Sequence, residues 1–246
     1  MIGSIDCMHW KWKNCQFAWQ GHHKGHVKGA TVILEAVASQ DLWIWHSFFS
    51  MTSSQNDISV LQRSPVFARL AEGHSPEVNF EVNGHHYNKG YYLADGIYPQ
   101  WSTLVKTIHN PQGEKRQRFA QMQESARKDV KRAFGVLGSW WGIIRNTALT
   151  WNTKKLWKVM TSCVIMHKMT VEDERDDTIY GQGNVEPEHA PPATFEQFVK
   201  FYRELRDWHT HVQLQDDLVE HVWTHIGNQY IYQFTFLSCE QISIGL

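Results

Sequence analysis

Cysteine is scarce in this 246-residue chain, and the four present (Cys7, Cys15, Cys163 and Cys239) stand at scattered spacings without a single C-x-x-C pair. That excludes a disulfide framework and a thiolate zinc ribbon, and it fits reduced thiols in an intracellular protein. Long apolar runs are missing as well. None approaches the ~18 residues of a membrane helix, and the opening "MIGSIDCMHW" alternates like a strand instead of reading as a charged-then-apolar leader. A nuclear or cytoplasmic protein is expected, neither secreted nor membrane-bound. Net charge is nearly absent, with 24 Lys and Arg against 25 Asp and Glu, so a polyanionic partner has to be argued from local charge alone. No internal repeat is visible at solenoid periods.

What the chain has in plenty is apolar and aromatic surface: 42% hydrophobic and 13% aromatic residues, enough for one sizeable core. Fifteen histidines invite a metal reading through Cys7, His9, His22, His23 and His26, but their spacing fits no finger or ribbon and they fall in a Gly/Lys-rich segment. Cys163 and His167, four apart on a predicted helix, lack a second pair and read as packing and a helix-end cation.

Along the chain, residues 1 to 6 predict a strand ending at Asp6. "HVKGATVILEAVAS" (26–39) and "LWIWHSFFS" (42–50) predict a hairpin across a two-residue "QD" turn. A helix is expected over 57–71, capped by Ser54 or Asn56, with Pro65 marking a kink or break. Asn83-Gly84 signals a second hairpin, followed by a strand 90–94 that runs into Asp95-Gly96. "STLVKTI" (102–108) is a further strand. From Glu114 to Leu137 apolar residues step by three or four, which predicts one long amphipathic helix. A buried helix is expected over 153–171, backing the sheet, and a linker or long loop over 176–193. Thr194 with Gln197 forms a capping box for a helix reaching about His211, and a last helix covers 213–226 before Gly227. The tail 229–246 is β-prone and atypical of the rest. The expected organisation is therefore an α/β domain over 1–175, the linker, C-terminal helices over 194–228, and the tail.

Two features carry chemistry. Between Lys106 and Arg132 stand eight basic residues against three acids, a patch hidden by the neutral total. Two strands deliver an aspartate each, Asp6 and Asp95. Strand-end carboxylates joined by a helical acid can hold two divalent ions ~3.5–4 Å apart for in-line displacement at a phosphodiester.

The stretches "GSIDCMHWKWKNC", "ILEAVASQDLWIWHSFF", "NDISVLQRSPVF", "YYLADGIYPQW" and "QESARKDVKRAFGVL" resemble, in order, the plant transposon proteins of the PIF/Harbinger transposase superfamily. The likeness runs from residue 1 to about Asn228. It implies an RNase H-like fold, a mixed sheet flanked by helices with a helical C-terminal extension, and a DDE nuclease that cuts and rejoins DNA with Mg²⁺ or Mn²⁺. Asp6 and Asp95 match the first two acids, both metal ligands. The third lies in R-x-x-x-E-R-x-F-G, where this chain has Arg127, Lys131, Arg132, Phe134 and Gly135.

Lys131 thus stands where a catalytic glutamate is expected. A charged lysine has no lone pair and cannot ligate a cation, so weak or partial metal binding and loss of activity are expected. Glu124 shares the predicted face but lies two turns away, ~10.5 Å along the axis, and is a poor substitute. Arg127, Lys128 and Arg132 are candidates for phosphate contact. Asp57 falls in a family-like stretch, with helix capping as its simpler role. The chain departs from the family pattern again at Gly138 and Trp140, where polar or basic residues are usual, and at Lys168, where asparagine is usual. The chain opens at the first catalytic strand, so the helix-turn-helix segment of such transposases is not expected here. The family pairs its transposase with a Myb-like protein, and Phe195, Phe198, Tyr202, Leu205 and Trp208 offer either a docking face or core packing. Besides DNA and such a partner, a homo-oligomer is a further expectation. A non-catalytic binding module and a decaying reading frame are the alternative readings.

Overall fold

The structure is a computed structural model that describes residues 1–24, 28–50, 57–72, 77–174 and 194–226. The proposed caps Ser54 and Asn56, the side chain of Asp57, His26, the segment 176–193 and the tail 229–246 lie outside the described residues, as does the stop at Gly227.

In chain order the elements are β1 (Gly3–Lys11), α1 (Gln20–His23), β2 (Thr31–Ala38), β3 (Ile44–Ser50), α2 (Asp57–Arg63), α3 (Pro65–Ala71), β4 (Glu77–Val82), β5 (His85–Lys89), β6 (Tyr92–Ala94), β7 (Leu104–Lys106), α4 (Glu114–Arg127), α5 (Asp129–Trp140), α6 (Gly142–Arg145), α7 (Thr153–Asp173), α8 (Phe195–Leu205) and α9 (Trp208–Ile226). The fold is mixed α/β. Five strands form one sheet in the order β3-β2-β1-β6-β7, and β4 and β5 form a separate hairpin. The first three pair antiparallel, whereas β1, β6 and β7 run parallel.

The strand β2, "TVILEAVA", is buried along its whole length, because helices cover both faces of the sheet and no position faces water. On one face Trp10, Trp12, Leu34 and Ala36 pack under Val130, Phe134 and Leu137 of α5 and Leu156 and Met160 of α7. On the other, Ile5, Val37 and Tyr92 meet Leu61, Phe67 and Leu70 of α2 and α3, with Leu205 of α8. A third cluster joins Leu93 and Val105 to Phe119 of α4 and to Leu214 and Leu218 of α9. Burying a side chain of this size is worth ~1.5–3 kcal/mol, so both C-terminal helices are held by core contacts.

Several boundaries differ from the sequence expectation. The β2–β3 connection spans Ser39–Trp43 instead of two residues, with Leu42 at φ 68°. Leu42 packs against the core, and that burial holds a residue that would otherwise avoid the left-handed region. At Pro65 the outcome is the expected break, into α2 and α3. β6 and β7 are three residues each, shorter than expected. The last helix begins at Trp208, because Asp207 Oδ1 accepts from His209 N at 3.0 Å and so caps it early.

The most consequential difference is in the segment 114–137, which is not one helix. α4 ends at Arg127 and α5 begins at Asp129, with Lys128 at φ −71°, ψ −7° between them. Buried Ser4 explains the break. Its Oγ accepts from Val130 N at 3.1 Å and lies 3.3 Å from Ala38 O, diverting Val130 from an intrahelical partner.

Candidate functional site

β1 continues past Asp6 to Lys11, so Asp6 is a mid-strand residue and not the strand end expected. What ends near it is the parallel pairing. Gly3 lies opposite Tyr92 and Ser4 opposite Leu93; carrying that register on two residues sets Asp6 beside Asp95, the residue after β6. β1 itself is held beyond that point by β2, where Asp6 faces Ala36.

Each aspartate spends one oxygen on the following backbone amide: Cys7 N to Asp6 Oδ1 at 2.9 Å and Gly96 N to Asp95 Oδ1 at 2.6 Å. The His109 ring packs against Gly96, where a Cβ would lie 2.2 Å from its Nε2, so a larger residue at 96 would have to displace that exposed ring. The free Oδ2 atoms share one cation. Arg127 Nη1 stands 3.8 Å from Asp6 Oδ2 and 3.5 Å from Asp95 Oδ2, while Arg127 Nη2 reaches Glu124 Oε1 at 2.8 Å. Lys131 Nζ closes the arrangement, 3.4 Å from Asp6 Oδ2.

The helix break decides which side chains arrive. Arg127 is the last residue of α4 and lies buried between the helices, and Lys131 enters from the first turn of α5. Glu124 is thereby joined to the two aspartates through the single guanidinium of Arg127. Of the proposed phosphate contacts, Arg127 is only 5% exposed and faces three carboxylates. Lys128 is exposed. Arg132 is exposed too and pairs with Asp129 Oδ1 at 2.6 Å.

Burial pushes the Asp6 carboxyl above its ordinary value; the Cys7 amide, Lys131 and Arg127 pull the other way without cancelling it. Burial lowers Lys106, at the end of β7, against the opposing charge of Asp95. Three cations (Lys106, Arg127 and Lys131) thus surround three acids (Asp6, Asp95 and Glu124).

Sequence reasoning missed two residues that set this geometry. Gln123 is buried, and its Nε2 donates to Ala94 O at 3.2 Å and Val105 O at 3.1 Å while its Oε1 accepts from Thr107 at 2.7 Å. It ties α4 to the ends of β6 and β7, next to Asp95. Ser4 ties α5 to β1 as described. An interior glutamine and a strand serine carry no signal of such roles in one sequence.

Does this donor set suit two divalent ions? A pair of such ions needs an excess of hard oxygen ligands. Here the Oδ2 atoms of Asp6 and Asp95 already face Arg127, and an ammonium takes the third position. The residues present do not fit a two-ion cage. In the histidine-rich stretch, buried His23 lies 3.1 Å from Thr31 O and His9 lies 3.3 Å from Thr31 Oγ1.

Over residues 1–178 the chain matches the family described as plant transposon protein. It belongs to that family. No curated protein and no solved structure matches it. The match covers both aspartates, Lys131 and the five-stranded sheet, so the whole site of this plant transposon protein lies within the family region. It ends before α8 and α9, which pack onto that region through Leu205, Leu214 and Leu218. Among the described residues, no helix is long and apolar enough to cross a membrane.

Proposed function

We propose that this plant transposon protein is a nuclease domain of the PIF/Harbinger type, with an RNase H-like fold, whose ancestral metal-dependent cleavage and rejoining of DNA is disabled at Lys131. The observation that carries this reading is the Lys131 ammonium 3.4 Å from Asp6 Oδ2, where the family's third acid is expected. Removing one preorganised electrostatic group commonly costs ~10²–10³ in rate, and here a charge of the wrong sign replaces it. Asp6 and Asp95 retain enough ligand character for one Mg²⁺ or Mn²⁺, bound weakly. Exposed Lys128 and Arg132 make the salt-dependent phosphate contacts, while buried Arg127 orders the carboxylates.

A second reading has its own observation. On the C-terminal helices Leu205 packs into the core, but Phe195 is 80% and Trp208 53% exposed. Two exposed aromatics beside the packed ones favour a protein-docking role, for a Myb-like partner or a second copy of the chain, independent of catalysis.

The deciding experiment is nicking of supercoiled DNA in Mg²⁺ and Mn²⁺ by the natural chain, by Lys131→Glu, and by Lys131→Glu combined with Asp95→Ala. The expected result is activity in Lys131→Glu alone. Nicking by the natural chain that disappears with Asp95→Ala overturns the account of Lys131.

A further inference from the structure

Charge in this near-neutral chain is strongly segregated. Residues 7–34 contain four Lys and no acid, and residues 130–171 contain seven Lys and Arg and no acid. Together they hold eleven of the 24 cations and none of the 25 acids. The fold brings the two segments side by side. Trp12 bridges Ala148 in parallel, with Lys13 N bonded to Ala148 O at 3.0 Å and Ala148 N to Lys11 O at 2.8 Å. Trp12 Nε1 donates to Thr150 O at 2.7 Å, and Asn14 Nδ2 donates to Leu149 O at 2.5 Å.

This pairing sorts the side chains by alternation. Trp10, Trp12 and Ala148 are buried. Lys11 and Lys13, on the opposite face, are exposed, and beside them Leu149 is 59% and Trp151 62% exposed. The chain then enters α7, whose first turn carries exposed Lys154 and Lys155 and no acid. Cations at that end of a helix oppose its dipole, so neither lysine is there for helix stability. Among the described residues, none of these four lysines pairs with a carboxylate. Asp6 lies on the other face of β1, and Lys13 is ~23 Å further along the strand at ~3.3 Å per residue. The face is separate from the acid site.

We propose that Lys11, Lys13, Leu149, Trp151, Lys154 and Lys155 form a binding surface for single-stranded nucleic acid. The lysines take backbone phosphates and the exposed indole of Trp151 stacks on an unpaired base. Charge complementarity selects a polyanion, since the face offers only cations. The exposed indole selects one with open base faces, which a duplex hides and a lipid headgroup lacks. The surface shares no residue with the nuclease reading and stands independently of it.

The test is fluorescence anisotropy of the full chain with a labelled oligothymidylate of about 16 nucleotides. Competitors are a duplex of equal length and vesicles of phosphatidylserine and phosphatidylcholine. Trp151→Ala is expected to weaken binding about 5- to 150-fold, with Trp151→Phe retaining most of it. Lys11→Gln, Lys13→Gln, Lys154→Gln and Lys155→Gln together should lower the slope of log affinity against log salt by about 0.7 per lysine. Lys200→Gln, an exposed lysine on α8 outside both sites, should leave binding unchanged. These residues are exposed, and unaltered circular dichroism melts serve as the folding control. Unchanged binding in Trp151→Ala overturns the proposal. So does duplex or vesicle binding as tight as the single strand, or a loss in Lys200→Gln as large as in the four-lysine variant.

Discussion

Replacing Lys131 by glutamate should turn a self-neutralised cluster into a cation site. At present Lys106, Arg127 and Lys131 face Asp6, Asp95 and Glu124; the substitution changes the balance by two charges and leaves four acids against two bases. At the 3.4 Å between Lys131 Nζ and Asp6 Oδ2, Coulomb attraction at an effective dielectric of 20 is ~5 kcal/mol. Because the lysine side chain is half exposed, solvent screening brings the pairing down to ~1 kcal/mol. Removing the ammonium and adding a carboxylate each favour a divalent ion by at least that much, so Mg²⁺ affinity should rise ~10- to 100-fold. Isothermal titration with Mg²⁺ and Mn²⁺ reads the change, and Asp95→Ala in the same background should abolish it. Affinity within twofold of the natural chain would refute the reasoning: Arg127, not Lys131, would then be the charge that keeps metal out.

Two further perturbations test the frame around the site. Burial pushes His46 down to about 4, so the native state favours the neutral ring; the stability this contributes is complete above the ordinary histidine value and is lost as pH falls through the native one. Linkage gives a loss of about 2 kcal/mol between about pH 7.5 and pH 5, measurable by urea unfolding, and His46→Gln should flatten that dependence if the assignment is right. Gln123→Leu strands the Ala94 and Val105 carbonyls and the Thr107 hydroxyl. A total of ~2–4 kcal/mol is expected from ~1–3 per buried unpaired group; a loss under about 0.5 kcal/mol would show that water replaces the side chain.

The elements of the sheet were readable because their signals are local. β-branched runs, an Asn-Gly turn at positive φ at both residues, a Thr194–Gln197 capping box and a proline break at Pro65 all act within a few residues. Asp6, Asp95 and Lys131 are singled out by resemblance to the family's motifs, and in the structure Lys131 lies 3.4 Å from Asp6 while Arg127 lies between Asp6 and Asp95. What escaped depends on partners distant in sequence. The break at Lys128 comes from Ser4, which lies 126 residues from Val130. Because α5 continues the same apolar stepping as α4, periodicity alone cannot reveal it. Asp6 reads as a strand end for a related reason, since β2 keeps the strand going after its parallel neighbour has stopped. The burial of Arg127 also depends on that break, so its place among carboxylates was invisible while it was read as part of an exposed basic stripe.

The register between β1 and β6 sets how far this chain can change length. Eighty-eight residues separate Asp6 from Asp95 in sequence, yet only Gly3, Ser4, Tyr92 and Leu93 define the pairing that aligns them. Loop-closure cost grows only with the logarithm of the excursion, so insertions in surface turns between the two strands leave the carboxylates where they are. A single residue gained or lost between Ser4 and Asp6, or between Leu93 and Asp95, carries one carboxylate to the opposite face of the sheet. Within a lineage, length variation should accumulate in the excursion and be absent from those two short segments.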